Sequence, residues 1–119
     1  MSSYRPERVA GQIHKIISEL FLSGEIKDPR IAQVTLTEVK ITRDLRLARV
    51  YYSVLGDAAD KETAVAGLKA VAPFVRRFLG QEMSLRHVPE VRFEFDASAD
   101  TGRRIDDLLR EARVETSDD

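Results

Sequence analysis

Val9, Ile13, Ile16, Ile17 and Leu20 recur at intervals of three and four, and this stripe predicts an opening helix from about Arg5 to Leu22. Pro6 suits an early helical position, where its missing N–H costs nothing. The run "SGEIKDPR" ends the element, with Gly24 fitted for a C-terminal cap and Asp28-Pro29 for a turn. The period then changes from helical to two. In "LARVYYSV", Ala48, Val50, Tyr52 and Val54 alternate with Leu47, Arg49, Tyr51 and Ser53, as in a half-buried strand. The preceding "VTLTEVKI" is rich in β-branched residues, but neither Val34, Leu36, Glu38 and Lys40 nor Thr35, Thr37, Val39 and Ile41 make a clean apolar face. That mixture suggests a bulge or an edge position. The short link "TRDLR" suits a hairpin, with Asp44 organising the turn.

A second helical region begins near "DKETAVAGLKAV", with Asp60 as its expected N-cap. Val65, Leu68, Ala72, Val75 and Leu79 carry the apolar stripe straight past Pro73. An interior proline removes a hydrogen bond and clashes with the preceding turn, at about 3 kcal/mol. The expectation is therefore helix–kink–helix, with Val71, Ala72 and Pro73 at the break and Pro73 in the first turn of the second half. A final strand, "VRFEFD", places Val91, Phe93 and Phe95 on one face and Arg92, Glu94 and Asp96 on the other. Ile105, Leu108, Leu109 and Ala112 then suggest a short amphipathic helix before a frayed acidic end.

Three strands bury little alone, so the helices are expected on one face of the sheet. The fold class is α+β, a two-layer sandwich, with Arg49, Tyr51, Arg92 and Glu94 on the opposite, open face. Residues 1–96 form the folded domain and 97–119 a C-terminal extension.

Composition narrows the function more than it defines it. The chain has 119 residues, 43% hydrophobic and 33% charged, which suits one globular domain. It has no cysteine, hence no thiolate metal site and no thiol nucleophile. No apolar run is long enough to span a bilayer and the N-terminus lacks a signal-peptide core, so a cytoplasmic location is expected. The net charge of −1 is unevenly spread: residues 1–96 sum to +2 and residues 97–119 to −3. The folded part is mildly basic, which permits a polyanionic partner if its cations share a face.

At the expected kink, a fresh helix N-terminus would offer backbone N–H groups to an anion, and Arg76 and Arg77 lie one turn on to add charge-assisted contacts. A bend around the core with solvated arginines accounts for the same residues. Catalytic chemistry is sparse. His14 and His87 form no metal-binding pair, no Gly-rich phosphate loop or G-x-S-x-G is present, and Asp106 and Asp107 would diverge on a helix. The chain is expected to be no enzyme and to need no metal or cofactor. An acylphosphatase-like enzyme is a remote alternative.

Taken in order, "RPERVAGQIHKIISEL", "GEIKDPRI", "VTLTEVKITRDLRLARVYYSVL", "GLKAVAPFVRRFLGQEMSLRHVPEVRFEFD" and "GRRIDDLLREA" resemble the ribosome-binding factor A family over nearly the whole chain. The resemblance implies a type II KH-like fold. Members use an Ala-x-Gly kink in place of the GxxG loop of ordinary KH domains; here Val71, Ala72 and Pro73 take that place, with proline at the glycine position. It also implies binding to the immature 30S subunit and its 16S rRNA, help in late maturation and rRNA end processing, particularly in the cold, and absence from translating ribosomes. A monomer is expected.

On that reading the phosphate-contacting residues would be Arg76 and Arg77, Arg43 and Arg46 at the hairpin turn, and Arg86 before the last strand. His87 is a weaker candidate beside it. Arg5 and Arg8 join them because positive charge at a helix N-terminus opposes the helix dipole and suits an external anion. Arg30 could equally pair with Asp28. The competing reading from another class is an α+β protein-binding adaptor with no RNA contact.

Overall fold

A computed structural model of the chain describes residues 5–98. The order is α1 (Pro6–Ser23), a 3-10 turn at Pro29–Ile31, β1 (Val34–Ile41), β2 (Leu47–Val54), α2 (Ala58–Glu82) and β3 (Glu90–Phe95). The expected amphipathic helix over Ile105 to Ala112 and the acidic end lie outside the described residues.

Helix α1 begins with Pro6 in its first turn and ends at Gly24, whose φ of 81° and ψ of 6° give the left-handed cap that glycine adopts without a Cβ penalty. Val9, Ile13 and Ile17 are fully buried. The sheet is mixed: β1 pairs antiparallel with β2, and β2 pairs parallel with β3, so β2 is central. The parallel pair requires a crossover, which α2 supplies.

A bulge resolves the ambiguous pattern of β1. The pairing runs Leu36 with Tyr52 and then Glu38 with Tyr51, which leaves Thr37 as the extra residue. The slip puts Val34 and Leu36 on the same side as Val39 and Ile41, all aligned with Val54, Tyr52, Val50 and Ala48 of β2. Both halves of β1 thus present apolar residues to the helices, although no strict alternation does. Val91, Phe93 and Phe95 of β3 continue these rows.

The expected helix pair is one helix. Helix α2 runs unbroken through Val71, Ala72 and Pro73, so there is no interhelical break and no second N-terminus to bind an anion. Two features explain why the proline is carried. Pro73 and Lys69, whose carbonyl loses its partner, are both exposed, so water can satisfy that oxygen. Ala64, Leu68, Val71, Val75 and Leu79 all bury against one core. Fully burying a Val or Leu side chain contributes about 1.5–3 kcal/mol, so Val75 and Leu79 together offset the roughly 3 kcal/mol cost of an interior proline. The cap also differs from expectation. Asp57 is the N-cap and accepts from Asp60 N at 3.0 Å, while Asp60 returns the bond to Asp57 N at 2.9 Å, a reciprocal capping box.

Gly67 lets α2 approach the 3-10 turn. A Cβ there would sit 2.7 Å from Arg30 Cβ and 3.0 Å from Ile31 Cγ2. That turn is held by Asp28, which accepts from Arg30 N at 3.0 Å and pairs with the Arg30 guanidinium at 2.7 Å.

Candidate nucleic-acid interface

Topology gathers most of the nominated arginines at one end of the sheet. The β1–β2 hairpin turn, the end of α2 and the entry to β3 all lie there. The first half of α1 (Pro6 to His14) borders a cavity along β1 from Thr37 at the bulge to Ile41. Glu90 N donates to Arg46 O at 2.8 Å, joining the entry of β3 to the start of β2. Arg76 Nη2 donates to Val88 O at 3.2 Å, joining α2 to the same loop. Asp44, Leu45, Arg46, Leu85, Arg86 and His87 surround a shared cavity of about 300 Å³.

The hairpin turn explains why Arg43 and Arg46 project. Leu45 N donates to Thr42 O at 2.9 Å, and Leu45 adopts φ 60°, a left-handed conformation rare for a bulky side chain. Asp44 accepts from Thr42 Oγ1 at 2.6 Å and from Arg46 N at 3.1 Å. These bonds, the Thr42 hydroxyl foremost, hold its carboxyl below the usual carboxylate range. Asp44 therefore organises the turn. Its contact with Arg46, at 4.0 Å with both side chains well exposed, neutralises little.

Among the described residues, Arg5, Arg8, Arg43, Arg77 and Arg86 make no ion pair and no side-chain hydrogen bond, and all are exposed. Exposed guanidiniums without an internal partner add to a field that attracts polyanions. Arg76 differs, because it is engaged with the Val88 carbonyl. Arg76 and Arg77 also point differently: about 100° of helix separates adjacent residues, which puts Arg76 on the β3 side and Arg77 on the outer surface with Pro73. Arg30 does not join the group, since it is committed to Asp28 at the opposite end.

A second set of cations was not nominated. Lys40, Arg49 and Arg92 align in one row across all three strands of the open face, and Glu38, Tyr51 and Glu94 form the next row. Like charges directly opposite disfavour a sheet. Here Arg49 lies 3.5 Å from Glu94, Arg92 lies 2.7 Å from Glu90, and the Lys40 ammonium sits 5.7 Å from the Tyr51 ring centre. Alternation had put Arg49 and Arg92 outward, and Lys40 joins them through the hairpin register that sets it opposite Arg49.

Between α2 and the edge strand β3 runs a groove of about 470 Å³. Val65, Leu68 and Ala72 line one side, Val91 and Phe93 the other, and Arg49, Lys69, Arg92 and Glu94 rim it. Among the described residues, no three of His, Asp and Glu are grouped to hold a metal, and no helix is long and apolar enough to cross a membrane.

The family model described as ribosome-binding factor A matches residues 5–109. The chain belongs to the ribosome-binding factor A family. Relatives of that name from Geotalea uraniireducens and Citrifermentans bemidjiense are 44% and 48% identical to it. The first match covers 97% of this chain and 94% of the relative, the second 90% and 89%. A solution structure of a putative ribosome-binding factor A from Thermotoga maritima matches with TM-score 0.66 and 28% identity over 79% of this chain and 89% of that one. The crystal structure of ribosome-binding factor A from Thermus thermophilus shares the fold, with TM-score 0.66 and 20% identity over 76% and 96% of the two chains. A homology model of Thermus thermophilus ribosome-binding factor A fitted into the map of a 30S complex shares it too, with TM-score 0.58 and 20% identity over 71% and 87%. The α+β fold and the family expected from the sequence are both found.

Proposed function

We propose that this protein binds the free 30S subunit before translation, contacts 16S rRNA, and assists late maturation and rRNA end processing without catalysing a reaction. It acts in the cytoplasm as a monomer, with no cofactor. The observation that carries the reading is the cavity shared by Arg46 and Arg86 beside the hairpin turn that holds Arg43, with Arg43 and Arg86 lacking a counter-charge among the described residues; Arg5 and Arg8 are proposed to extend this surface. Family membership supports a ribosomal partner, and a Thermus relative has been placed on the 30S subunit. Such a surface suits phosphates of folded rRNA and reads shape more than base sequence.

Helix α2 contributes by supporting the loop that carries Arg86, and Arg77 adds a cation that has no partner among the described residues. The KH-like character lies in the β2–α2–β3 unit, here without a glycine loop or break between two helices.

Co-sedimentation with free 30S subunits and with assembled 70S ribosomes tests the reading. Wild type should pellet with free subunits and not with 70S ribosomes, and an Arg43→Glu, Arg46→Glu, Arg86→Glu variant should stay in the supernatant. Log affinity should fall linearly with log salt, and each lost phosphate contact should lower the slope by about one. Salt-independent pelleting, unaffected by the triple variant, would instead favour a protein-binding adaptor.

A further inference from the structure

Strand β3 lies at an edge of the sheet, and only half of its backbone hydrogen-bonding capacity is used. Glu90 N donates to Arg46 O and Asp96 N to Tyr52 O, both at 2.8 Å. With the parallel register, these bonds turn the backbone of Glu90, Arg92, Glu94 and Asp96 towards β2. The N–H and C=O groups of Val91, Phe93 and Phe95 therefore point away from the sheet, and they have no partner among the described residues. Val91 and Phe93 of one face and Arg92 and Glu94 of the other border the same groove beside Val65, so solvent reaches around this edge. The opposite edge strand, β1, is interrupted by its bulge. Strand β3 keeps a continuous register and has no bulge, proline or lysine to deter pairing.

An antiparallel strand laid on this edge must set its own outward residues against Val91, Phe93 and Phe95. A second copy of β3 does so about a two-fold axis at Phe93. Phe93 then faces its own counterpart, Val91 faces Phe95, and each such pair exchanges two backbone hydrogen bonds. Between them Arg92 faces Glu94 of the second copy, at the positions where side chains approach closest. The cation row of Lys40, Arg49 and Arg92 runs on into Glu94, Tyr51 and Glu38 of the other copy. The two-fold registers one step away would set Arg92 against Arg92 or Glu94 against Glu94, so charge selects this one. The pairs of Arg92 with Glu90 and of Arg49 with Glu94 within each chain are exposed, and a guanidinium has donors for a further carboxylate. The one like-charged juxtaposition, Glu90 with Asp96, falls at the ends of the match. There Arg92 holds Glu90, and Thr37 Oγ1 donates to Asp96 at 2.6 Å.

We infer that free copies of this protein pair edge to edge through β3, joining their sheets into one. The matched segment is short and buries less than the roughly 1,200 Å² of a stable interface, so the dimer is weak and reversible. Dilute protein stays monomeric, the form proposed above to meet the 30S subunit. Pairing covers an edge that would otherwise template aggregation, and it does not rest on the rRNA reading.

Sedimentation velocity of the full chain from micromolar to millimolar concentration should show a monomer–dimer equilibrium. Arg92→Glu and Glu94→Arg should each stay monomeric where the parent is half dimeric, because like charges then face each other. Mixed in equal amounts, the two variants should dimerise at least as tightly as the parent, since opposite charges meet again. Mutual rescue also shows that neither variant lost pairing by misfolding. In hydrogen exchange, the Val91, Phe93 and Phe95 amides should be fast in dilute protein and slow at high concentration, with Arg92 and Glu94 slow in both. A parent monomeric throughout, a dimer that neither variant weakens, or losses without mutual rescue would overturn the proposal. So would concentration-independent protection of Val91, Phe93 and Phe95, which would mean that residues 97–119 of the same chain cover the edge.

Discussion

Arg76 donates through Nη2 to the carbonyl oxygen of Val88 at 3.2 Å, fastening α2 to the loop that enters β3. Arg77, its neighbour, points outward and has no such bond among the described residues. Adjacent arginines in one sequence motif thus have different roles.

Single substitutions should separate them. Arg76→Ala removes an exposed hydrogen bond and should lower stability by at most about 1 kcal/mol. It should also loosen the loop holding Arg86 and His87, visible as faster amide exchange over residues 85–89. Arg77→Ala should leave stability and exchange unchanged and weaken rRNA binding, with a smaller salt slope. Denaturant titration, hydrogen exchange and filter binding of the two variants decide the matter. Matching profiles would show that the Val88 bond has no consequence in solution.

Because α2 is continuous, Pro73 acts as a cost to the helix with no break to justify it locally. Pro73→Ala restores a donor to the Lys69 carbonyl and removes the ring clash. An interior proline is about 3 kcal/mol worse than alanine, less whatever water already returns to the exposed carbonyl. The expected gain is about 1–3 kcal/mol in urea unfolding, with 30S binding unchanged. A loss of stability would mean that the helix bends at residue 73 and that the core depends on the bend.

Much of this architecture was legible in the sequence because the local signals agreed with the packing. The strands Val34–Ile41 and Leu47–Val54 followed from β-branched runs and period-two alternation, and the mixed faces of β1 suggested a bulge or an edge position, both of which it has. What failed was the weighing of Pro73. A local propensity is visible in sequence, but the burial of Val75 and Leu79 that outweighs it is tertiary. The row of Lys40, Arg49 and Arg92 was hidden for a related reason, since it depends on the parallel register of β3, and no residue of β3 announces that register. The arginines of the hairpin end were nominated one by one. Only the chain path shows that Arg46 and Arg86 share a cavity.

Acid should destabilise the fold through three aspartates. Asp57 is held below its ordinary value of 3.8 mainly by the Asp60 backbone N–H, Asp44 by the Thr42 hydroxyl, and Asp28 by the Arg30 guanidinium. A carboxylate depressed in the folded state contributes fully above its unfolded value and loses that contribution as pH falls through its folded value. The melting temperature should therefore be flat in respect of these groups from pH 7 to about 5 and fall below about pH 4. Asp57→Asn keeps a capping oxygen but cannot titrate, so its acid decline should be shallower than wild type. An identical decline would remove Asp57 from the account.

The hairpin tip sets two effects of similar size against each other at Leu45. Its backbone is left-handed at φ 60°, which costs a non-glycine residue about 1–2 kcal/mol, while its side chain packs against the core beside Leu85. Leu45→Gly relieves the strain and loses the packing, whereas Leu45→Ala loses most of the packing and keeps the strain. Glycine should therefore be the milder substitution by about 1 kcal/mol, the reverse of the order in a helix or strand. The same comparison bears on function, because Leu45 fixes the turn from which Arg43 and Arg46 project. Leu45→Gly should bind rRNA more weakly than its stability change accounts for, since the freed turn must be ordered again on binding. Chemical denaturation gives the stability order and filter binding the affinity. If alanine proved the milder change, the left-handed strain at Leu45 would be smaller than the backbone entropy that glycine adds to the unfolded chain.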